Sequence, residues 1–536
     1  MESPFPDLTA LLRRQAAQRG EQTALVDRDQ SISYARLLAS SDRLAGGLAR
    51  LGIGAGDRVA LWLPNLSAWL VSFLACCRLG AIAVSVNTRF RAAEVADIVG
   101  RSGCRLLIFW PGFKGIDFAA ILADIPARQL PDLQTLVAYD EQGDVEALPA
   151  AAIRGLPVLR YADIAAAPPL LTASGNAPCV MFTTSGTTKA PKFVVHDQRT
   201  LLRHAHDIAA AFGYDQPDAV ILVTAPLCGV FGFCNALAAL SAGRPLVMTP
   251  VFDARELAQS IERHAVTHTN ATNDAIAQLL AEAGDAAVAF PSARVFGFAN
   301  FAPGYDSLVA DAEARGLRLV GLYGSSEMQA LLARQPEDAP TQERQLAGGV
   351  LSAPEGRVRA VDPHTRQVQA HGAAGELEFL VPSRMLGYFG ADAETAAATS
   401  ADGWFRSGDL GYTLSERRFV FLARLGDALR LGGFLVNPLE IEETIQELPG
   451  IAACQVVGVD LEAGLRPVAF IILAAEAASD NVTEAAVIAH CQARLAKFKA
   501  PARVFRVAAF PMTPGANAFK VQKNRLREMA LELLDA

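Results

Sequence analysis

Apolar positions in the first two-thirds of the chain come in two rhythms. Short continuous runs at 57–63 (DRVALWL), 81–86 (AIAVSV) and 104–109 (CRLLIF) read as strands, and segments of helical spacing over 67–78 and 92–101 lie between them. Such alternation predicts parallel sheets covered by helices. After a stretch rich in Ala and Pro (111–176) the pattern resumes, with apolar runs at 179–184, 219–224, 245–249, 265–269, 294–298 and 317–323. Each ends near Gly, Pro, Ser, Thr or Asn. Ligands in open α/β sheets bind beyond the carboxyl ends of such strands.

From about Gly349 the texture changes to shorter β-like runs separated by glycine turns (GELEFLV, DGWFRSGDLGY). The final segment reads as mixed α+β: helix 438–448, strands 452–459 and 468–473, helix 483–497, strand 502–507 and helix 521–534. A boundary is expected at 423–427 (ARLGD), where a strand runs into a Gly-containing turn. The apolar stretch 69–86 (WLVSFLACCRLGAIAVSV) has the length of a membrane span, but it carries Arg78 and Gly80 and switches from helical to strand character between them. It reads as a buried helix running into a buried strand.

Composition narrows the class. At about 150 residues per domain, 536 residues make roughly three to four units, enough to bury several cores without disulfides or a structural metal. Hydrophobic residues at 51% and charged residues at 19% exclude a largely disordered chain. The 48 Lys+Arg and 56 Asp+Glu give a net charge of −8 with both signs scattered, so no nucleic-acid partner is expected. Cys76, Cys77, Cys104, Cys179, Cys228, Cys234, Cys454 and Cys491 form no CxxC pair and no His/Cys ligand spacing. They read as buried thiols of a reducing compartment. The start, MESPFPDLTALLRRQ, has no basic region leading into an apolar run, so no signal peptide is expected and the protein reads as soluble and cytoplasmic.

Five segments carry chemistry. The first, Thr183-Thr184-Ser185-Gly186-Thr187-Thr188-Lys189-Ala190-Pro191-Lys192, follows the apolar run CVMF. Free backbone N–H groups, hydroxyls and lysines suit a polyphosphate, although a polar surface turn has a similar composition. Pro191 stands where a Walker A motif needs Gly before its Lys. The second, Tyr323-Gly324-Ser325-Ser326-Glu327, offers a ring for a base and oxygen ligands for Mg²⁺ beside phosphates; an N-cap serine opening a helix is the plain alternative. The third, Trp404-Phe405-Arg406-Ser407-Gly408-Asp409-Leu410-Gly411, places an Asp between glycines, as suits a ribose diol or a simple hairpin turn. The fourth is Arg424-Leu425-Gly426-Asp427 ahead of LRLGGFLVNPLEIEE. The fifth places Lys520 after a Pro-Gly loop, followed by Lys523, Arg525 and Arg527, which also fit a solvated basic helix face.

The order TSGTT…PK, YGSSE, GWFRSGDLGY, RLGD…GG…NPLEIE and a C-terminal loop lysine resembles the adenylate-forming enzymes: acyl- and aryl-CoA synthetases, peptide-synthetase adenylation domains and beetle luciferase. The resemblance runs from about Leu8 to Leu534 and extends to SYARLLASSDRLAGGLARLGIGAGDRVALWLPN and LGAIAVSVNTRF. It implies a large N-terminal domain, 1–423, of parallel α/β sheets plus a small β-barrel-like subdomain, and a small mobile α+β domain, 424–536. The implied reaction joins a carboxylate to MgATP, giving an acyl-adenylate and pyrophosphate, after which a thiol, usually of CoA, displaces AMP.

On the family pattern, Thr184, Ser185, Gly186, Thr187, Thr188 and Lys192 hold the β- and γ-phosphates. Glu327 coordinates Mg²⁺ and Ser326 faces the α-phosphate or carboxylate. Tyr323, with Gly324 and Ser325 beside it, flanks the adenine, and Gly297, Phe298 and Ala299 supply its other side. Asp409 and Arg424 hold the ribose, Lys520 bridges the acyl carboxylate and α-phosphate, and the stretch near Gly432 and Gly433 meets the thiol. Gly229, Phe231, Asn235, Phe298 and Asn300 border the acid.

The chain departs from that pattern in several places. Lys189 and Phe193 stand where relatives carry Gly, with Lys189 either adding a phosphate contact or pointing to solvent. Ser326 replaces Thr, Gly229 replaces His or an aromatic residue, and Asn517-Ala518-Phe519 replaces Ser-Gly before the lysine. Gly426 stands at the hinge, where relatives carry Asp or Lys.

The leading expectation is an acid–CoA ligase for an apolar fatty or aromatic acid, since an unpaired buried charge is costly. An acyl-AMP ligase or an enzyme loading a carrier-protein pantetheine is the alternative, and a non-catalytic ligand-binding relative comes third. Neither the particular acid nor an oligomeric state is written in any local segment.

Overall fold

The computed structural model describes residues 6–140, 152–184, 191–284, 286–300, 305, 307–427, 429–431, 434–461, 464–474, 482–495, 497–514 and 519–535. It is an α/β protein built on two large sheets, with a smaller α+β unit at the C-terminal end.

In the first sheet, strands Arg58–Trp62, Ile82–Ser85, Cys104–Phe109, Thr135–Ala138 and Leu156–Arg160 run parallel. Val59, Ala60, Leu61 and Trp62 are all fully buried, because helices cover both faces of a parallel sheet and its strands must be apolar throughout. Pro178–Thr183 joins in parallel beside Ile82–Ser85 and turns back as the antiparallel strand Phe193–Asp197, to which the short strand Gly387–Tyr388 adds. The 69–86 stretch resolves as the buried helix Ser67–Leu79, stopped at Gly80 in the left-handed region (φ 72°), and the strand Ile82–Ser85. Among the described residues no helix is long and apolar enough to cross a membrane.

The second sheet changes character partway across. Thr23–Asp27, Leu246–Met248, Ile221–Val223, His268–Thr272, Val295–Ala299 and Leu319–Ser325 are parallel. From Leu319–Ser325 onward every neighbour is antiparallel: Gln329–Arg334, Gly348–Leu351, Arg418–Arg424, Phe405–Thr413, Gly375–Leu380 and Arg357–Val361. Tyr323, Gly324 and Ser325 of YGSSE therefore end the strand where the sheet passes from one hydrogen-bonding pattern to the other, and Ser326 and Glu327 follow in the turn.

Two expectations about elements shift. The run at 265–269 forms its strand three residues later, at His268–Thr272, because Ala265 adopts a positive φ and Val266 N–H closes back onto Ile261 at the end of the preceding helix. The stretch 111–176 is not merely a variable connection. It supplies the helix Phe118–Asp124 and the strands Thr135–Ala138 and Leu156–Arg160, which widen the first sheet.

At the C-terminal end, Ile451–Leu461 pairs antiparallel with Gly464–Leu473 and Arg503–Arg506 adds in parallel. Helices Pro438–Gln446, Glu484–Arg494 and Lys523–Asp535 accompany this sheet. All eight cysteines are free and buried. Burial pushes the Cys104, Cys228 and Cys234 thiols up to about 12, which keeps them protonated and unreactive.

Candidate functional site

The site is built around the turn between Leu319–Ser325 and Gln329–Arg334. A Cβ on Gly324 would lie 2.6 Å from Ala330 Cα and 2.9 Å from Leu331 N, so the returning backbone approaches too closely for any side chain. Gln329 (φ 68°) and Leu331 (φ 60°) then take the left-handed conformation that L residues avoid.

Donors from elsewhere in the chain hold this strained turn in place. His196 Nε2 donates to Ser326 O (2.8 Å), Met385 N to Glu327 O (2.7 Å), Ser383 Oγ to Met328 O (2.8 Å) and His204 Nε2 to Ala330 O (2.7 Å). Gln329 Nε2 reaches Thr200 O and Ser383 O. Burial pushes both histidines down to about 4. At neutral pH each is uncharged, and its carbonyl partner fixes the proton on Nε2.

Glu327, half-buried on this turn, accepts a hydrogen bond from Tyr388 Oη at 3.0 Å. Lys192 Nζ sits 4.5 Å from the centre of the same tyrosine ring. The Lys192 backbone pairs with Thr184 (Thr184 N to Lys192 O, 3.0 Å) and closes the base of the hydroxyl-rich loop. Ser185, Gly186, Thr187, Thr188 and Lys189 of that loop lie outside the described residues.

A second cluster faces it. Asp409 and Arg424 are direct partners across the ladder and form an ion pair, Nη1 to Oδ1, at 2.9 Å. Tyr323 Oη donates to Asp409 Oδ2 at 2.5 Å, and its ring stacks on Phe379 with Phe419 edge-on. Burial, reinforced by the Asp409 charge, pushes the Tyr323 phenol well above its usual range. The Asp409 carboxylate holds the Arg424 guanidinium above its ordinary value, and the Glu327 charge adds to this. The two clusters therefore share one electrostatic environment, although Asp409 itself is only 2% exposed.

The other sequence-derived positions fall in different surroundings. Gly297, on strand Val295–Ala299, is wedged so that a Cβ would meet Asn270 Oδ1 at 2.1 Å. Phe298 and Phe231 are buried, and Gly229 caps helix Val230–Ala242. Asn235 belongs to a closed internal network: its Oδ1 accepts from Tyr214 Oη (2.6 Å) and Asn270 Nδ2 (3.1 Å), and its Nδ2 donates to Leu222 O. Asn300 Nδ2 donates to Gln345 O.

Lys520 lies opposite Thr513 in the hairpin formed by Met512–Pro514 and Phe519–Val521; its side chain is outside the described residues, as are Gly432 and Gly433. Sequence reasoning passed over Tyr388, His196 and His204. The available signal was a lone polar residue at the end of the apolar run FVVH, and a tyrosine after a glycine in MLGYF.

Among the described residues no trio of His, Cys, Asp or Glu is arranged for a metal. Mg²⁺ needs less than that, since one carboxylate with substrate phosphates and water completes its oxygen shell. Glu327, with Ser326 beside it, fits that requirement.

Comparison with known proteins gives a consistent picture. A family model described as AMP-binding enzyme matches residues 12–389, and one described as AMP-binding enzyme C-terminal domain matches residues 440–516. The chain is 29% identical over 530 residues to a sulfoacetate–CoA ligase of Cupriavidus necator, covering 97% of each. It is 29% identical over 508 residues to a long-chain-fatty-acid–CoA ligase of Mycobacterium tuberculosis, covering 93% of each. Among solved structures, the fold matches o-succinylbenzoate CoA synthetase of Bacillus subtilis in complex with AMP (TM-score 0.80, 23% identity, 98% of each chain). It also matches ATP-bound MatB of Rhodopseudomonas palustris (TM-score 0.81, 24% identity, 98% of this chain and 99% of that one).

Proposed function

The chain belongs to the AMP-binding enzyme family and is an ATP-dependent acid–CoA ligase; from that premise we propose how its residues divide the work and which acids it takes. The observation that carries the assignment is the pair of neighbouring clusters, Lys192, Tyr388 and Glu327 on one side and Tyr323, Asp409 and Arg424 on the other, with the Glu327 charge reaching Arg424.

In the first half-reaction the acid carboxylate attacks the α-phosphorus of ATP, a P–O bond forms, and the bond to the β-phosphate breaks with release of pyrophosphate. Two anions must approach, so the site has to supply positive charge and donors in advance. Lys192 and the hydroxyls of Thr184, Ser185, Thr187 and Thr188, with Gly186 opening the backbone, hold the β- and γ-phosphates. Glu327 holds Mg²⁺, which neutralises phosphate charge when bound, and Ser326 faces the α-phosphate. Tyr323 and the Gly297-Phe298-Ala299 strand end flank the adenine. Asp409 and Arg424 take the ribose hydroxyls, with Arg424 turning from its present partner.

Lys520 then bridges the acid and the α-phosphate. In the second half-reaction the CoA sulfur attacks the acyl carbon and AMP leaves, with Gly432 and Gly433 facing the thiol. Division at 423/424 lets a C-terminal unit present Lys520 and then the glycines in turn.

The acid is apolar, fatty or aromatic. Phe231 and Phe298, proposed for the acyl side, are buried in two separate apolar cores, and the polar groups of Asn235 and Asn300 are engaged within the protein. A second charge on the acid would find these two amides already engaged. The test is pyrophosphate release with MgATP across straight-chain, branched, aromatic and sulfonated acids, with and without CoA, following thioester by mass. Thioester from apolar acids alone supports the reading. Turnover confined to the sulfonated acids refutes the acid class, and pyrophosphate without thioester refutes CoA as acceptor.

A further inference from the structure

The segment around Tyr388 stitches together two parts of the site that are far apart in sequence. Met385 N–H donates to Glu327 O at 2.7 Å, while Leu386 N–H and Phe389 N–H donate to Val195 O and Phe193 O at 2.9 Å each. Val194 and Tyr388 are ladder partners. Tyr388 N–H is itself tied to Thr395 Oγ1 at 2.9 Å. The tyrosine is 8% exposed, so its ring and hydroxyl have little freedom.

From this position the side chain touches both proposed phosphate-side charges. Its hydroxyl is 3.0 Å from Glu327 Oε1, and its ring face lies 4.5 Å from the Lys192 ammonium. We propose that Tyr388 is a positioning residue of the ligase: its hydroxyl aims the Glu327 carboxylate and its ring seats the Lys192 ammonium, so one side chain sets the metal-side and phosphate-side charges together. The proposal rests on the roles given above to Glu327 and Lys192.

The chemistry favours this arrangement. A hydrogen bond to Oε1 orients the carboxylate and leaves Oε2 for a cation. A phenol, with an ordinary pKa of about 10, is protonated at neutral pH and donates to the carboxylate. The ring attracts the ammonium without neutralising it, and the full charge stays available to a phosphate. A carboxylate in the ring's place would pair with Lys192 and compete with ATP.

The test is equilibrium binding of ATP to the full chain, titrated over free Mg²⁺ and repeated in EDTA. Y388F keeps the ring and removes only the hydroxyl. It should raise the free Mg²⁺ for half-maximal ATP binding by about three- to ten-fold, part of the worth of one charge-assisted hydrogen bond, and leave ATP affinity in EDTA unchanged. Y388L removes the ring as well and should weaken ATP binding in EDTA by about three-fold. Combining Y388F with E327Q should cost no more than E327Q alone.

A Y388F chain with the parent's Mg²⁺ requirement overturns the proposal, as does an equal loss with and without Mg²⁺, or additivity with E327Q. Because these are binding measurements, they report on Tyr388 even where no acid turns over. Acid-dependent pyrophosphate release by the parent tests the ligase reading separately, and a parent that binds no MgATP overturns both.

Discussion

The turn that carries Glu327 and the hairpin that carries Lys520 are held in opposite ways. The carbonyls of Ser326, Glu327, Met328 and Ala330 each receive a donor from a distant segment. The lysine hairpin has three ladder pairs of its own. Among the described residues, Gln522 N–H and its side chain bond to Pro511 and Met512, and Lys523 pairs with the buried Glu442 at 3.1 Å. On the roles proposed above, a group that organises bound phosphate must be in place before substrate arrives, whereas a lysine acting in one half-reaction needs a support that releases it. On that proposal the difference in anchoring is the difference between a fixed field and a delivered charge.

The largest test of that contrast is Lys520→Ala. Removing the delivered charge should lower the rate of adenylate formation by about 10²- to 10³-fold while MgATP binding changes little, read by pyrophosphate release and a binding titration. Equal losses in both would place the lysine in the fixed part of the site.

His196 probes the other side. His196→Ala leaves the Ser326 carbonyl without its donor beside a strained turn, and an unsatisfied buried group costs about 1–3 kcal/mol. The unfolding midpoint in urea should fall accordingly, kcat/KM for ATP should drop by about two- to ten-fold if half of that cost reaches Glu327, and His196→Gln should recover part of both.

Acidity attacks the same anchors. His196 and His204 titrate near 4 in the folded protein against an ordinary value of 6.5, so between these values the unfolded chain binds more protons than the native one. Their contribution to stability is complete above pH 6.5 and is lost as pH falls toward 4, by an amount of order 3 kcal/mol for each group. Urea unfolding from pH 7 to pH 4 should show this decline, and His196→Gln should remove about half of it, leaving the part due to His204.

The smallest expected effect is at the hinge-side turn. A Cβ on Gly426 would meet nothing within 4 Å, and Arg527 grips this residue through its carbonyl (3.0 Å) and through Asp427. Gly426→Asp should leave stability within about 0.5 kcal/mol and alter overall turnover less than two-fold, checked by thermal unfolding and thioester formation.

What could be read from the sequence follows from the range of the interactions involved. The strands and helices of the first sheet were legible because buried parallel strands are continuously apolar, and Cys104–Phe109 and Ala92–Arg101 fall where the pattern puts them. The strand His268–Thr272 slipped by three residues because a positive φ at Ala265, which no local signal announces, extends the turn before it. Within the site, Glu327 after an apolar run, Asp409 between glycines and Arg424 ahead of a Gly-containing turn were each weak alone, and it was the order of the five segments, matching a known family, that picked them out. Tyr388 did not, since a tyrosine after a glycine is ordinary until the fold sets it against a carboxylate 61 residues away. Asn235 was read from its neighbours in the chain, and its partners Tyr214 and Asn270 exist only in three dimensions.

The strand Leu319–Ser325 is hydrogen-bonded in parallel on one side and antiparallel on the other, so thirteen strands share one uninterrupted ladder from Arg357–Val361 to Gln30–Ser33. There is no seam along that ladder where heat or denaturant can part the α/β half from the β-rich half without breaking the strand that carries the Tyr323 ring. The two halves should therefore unfold together, their amides exchanging with solvent as one cooperative unit. A chain arranged in this way keeps the Tyr323 ring in register with Asp409 for as long as that ladder is intact.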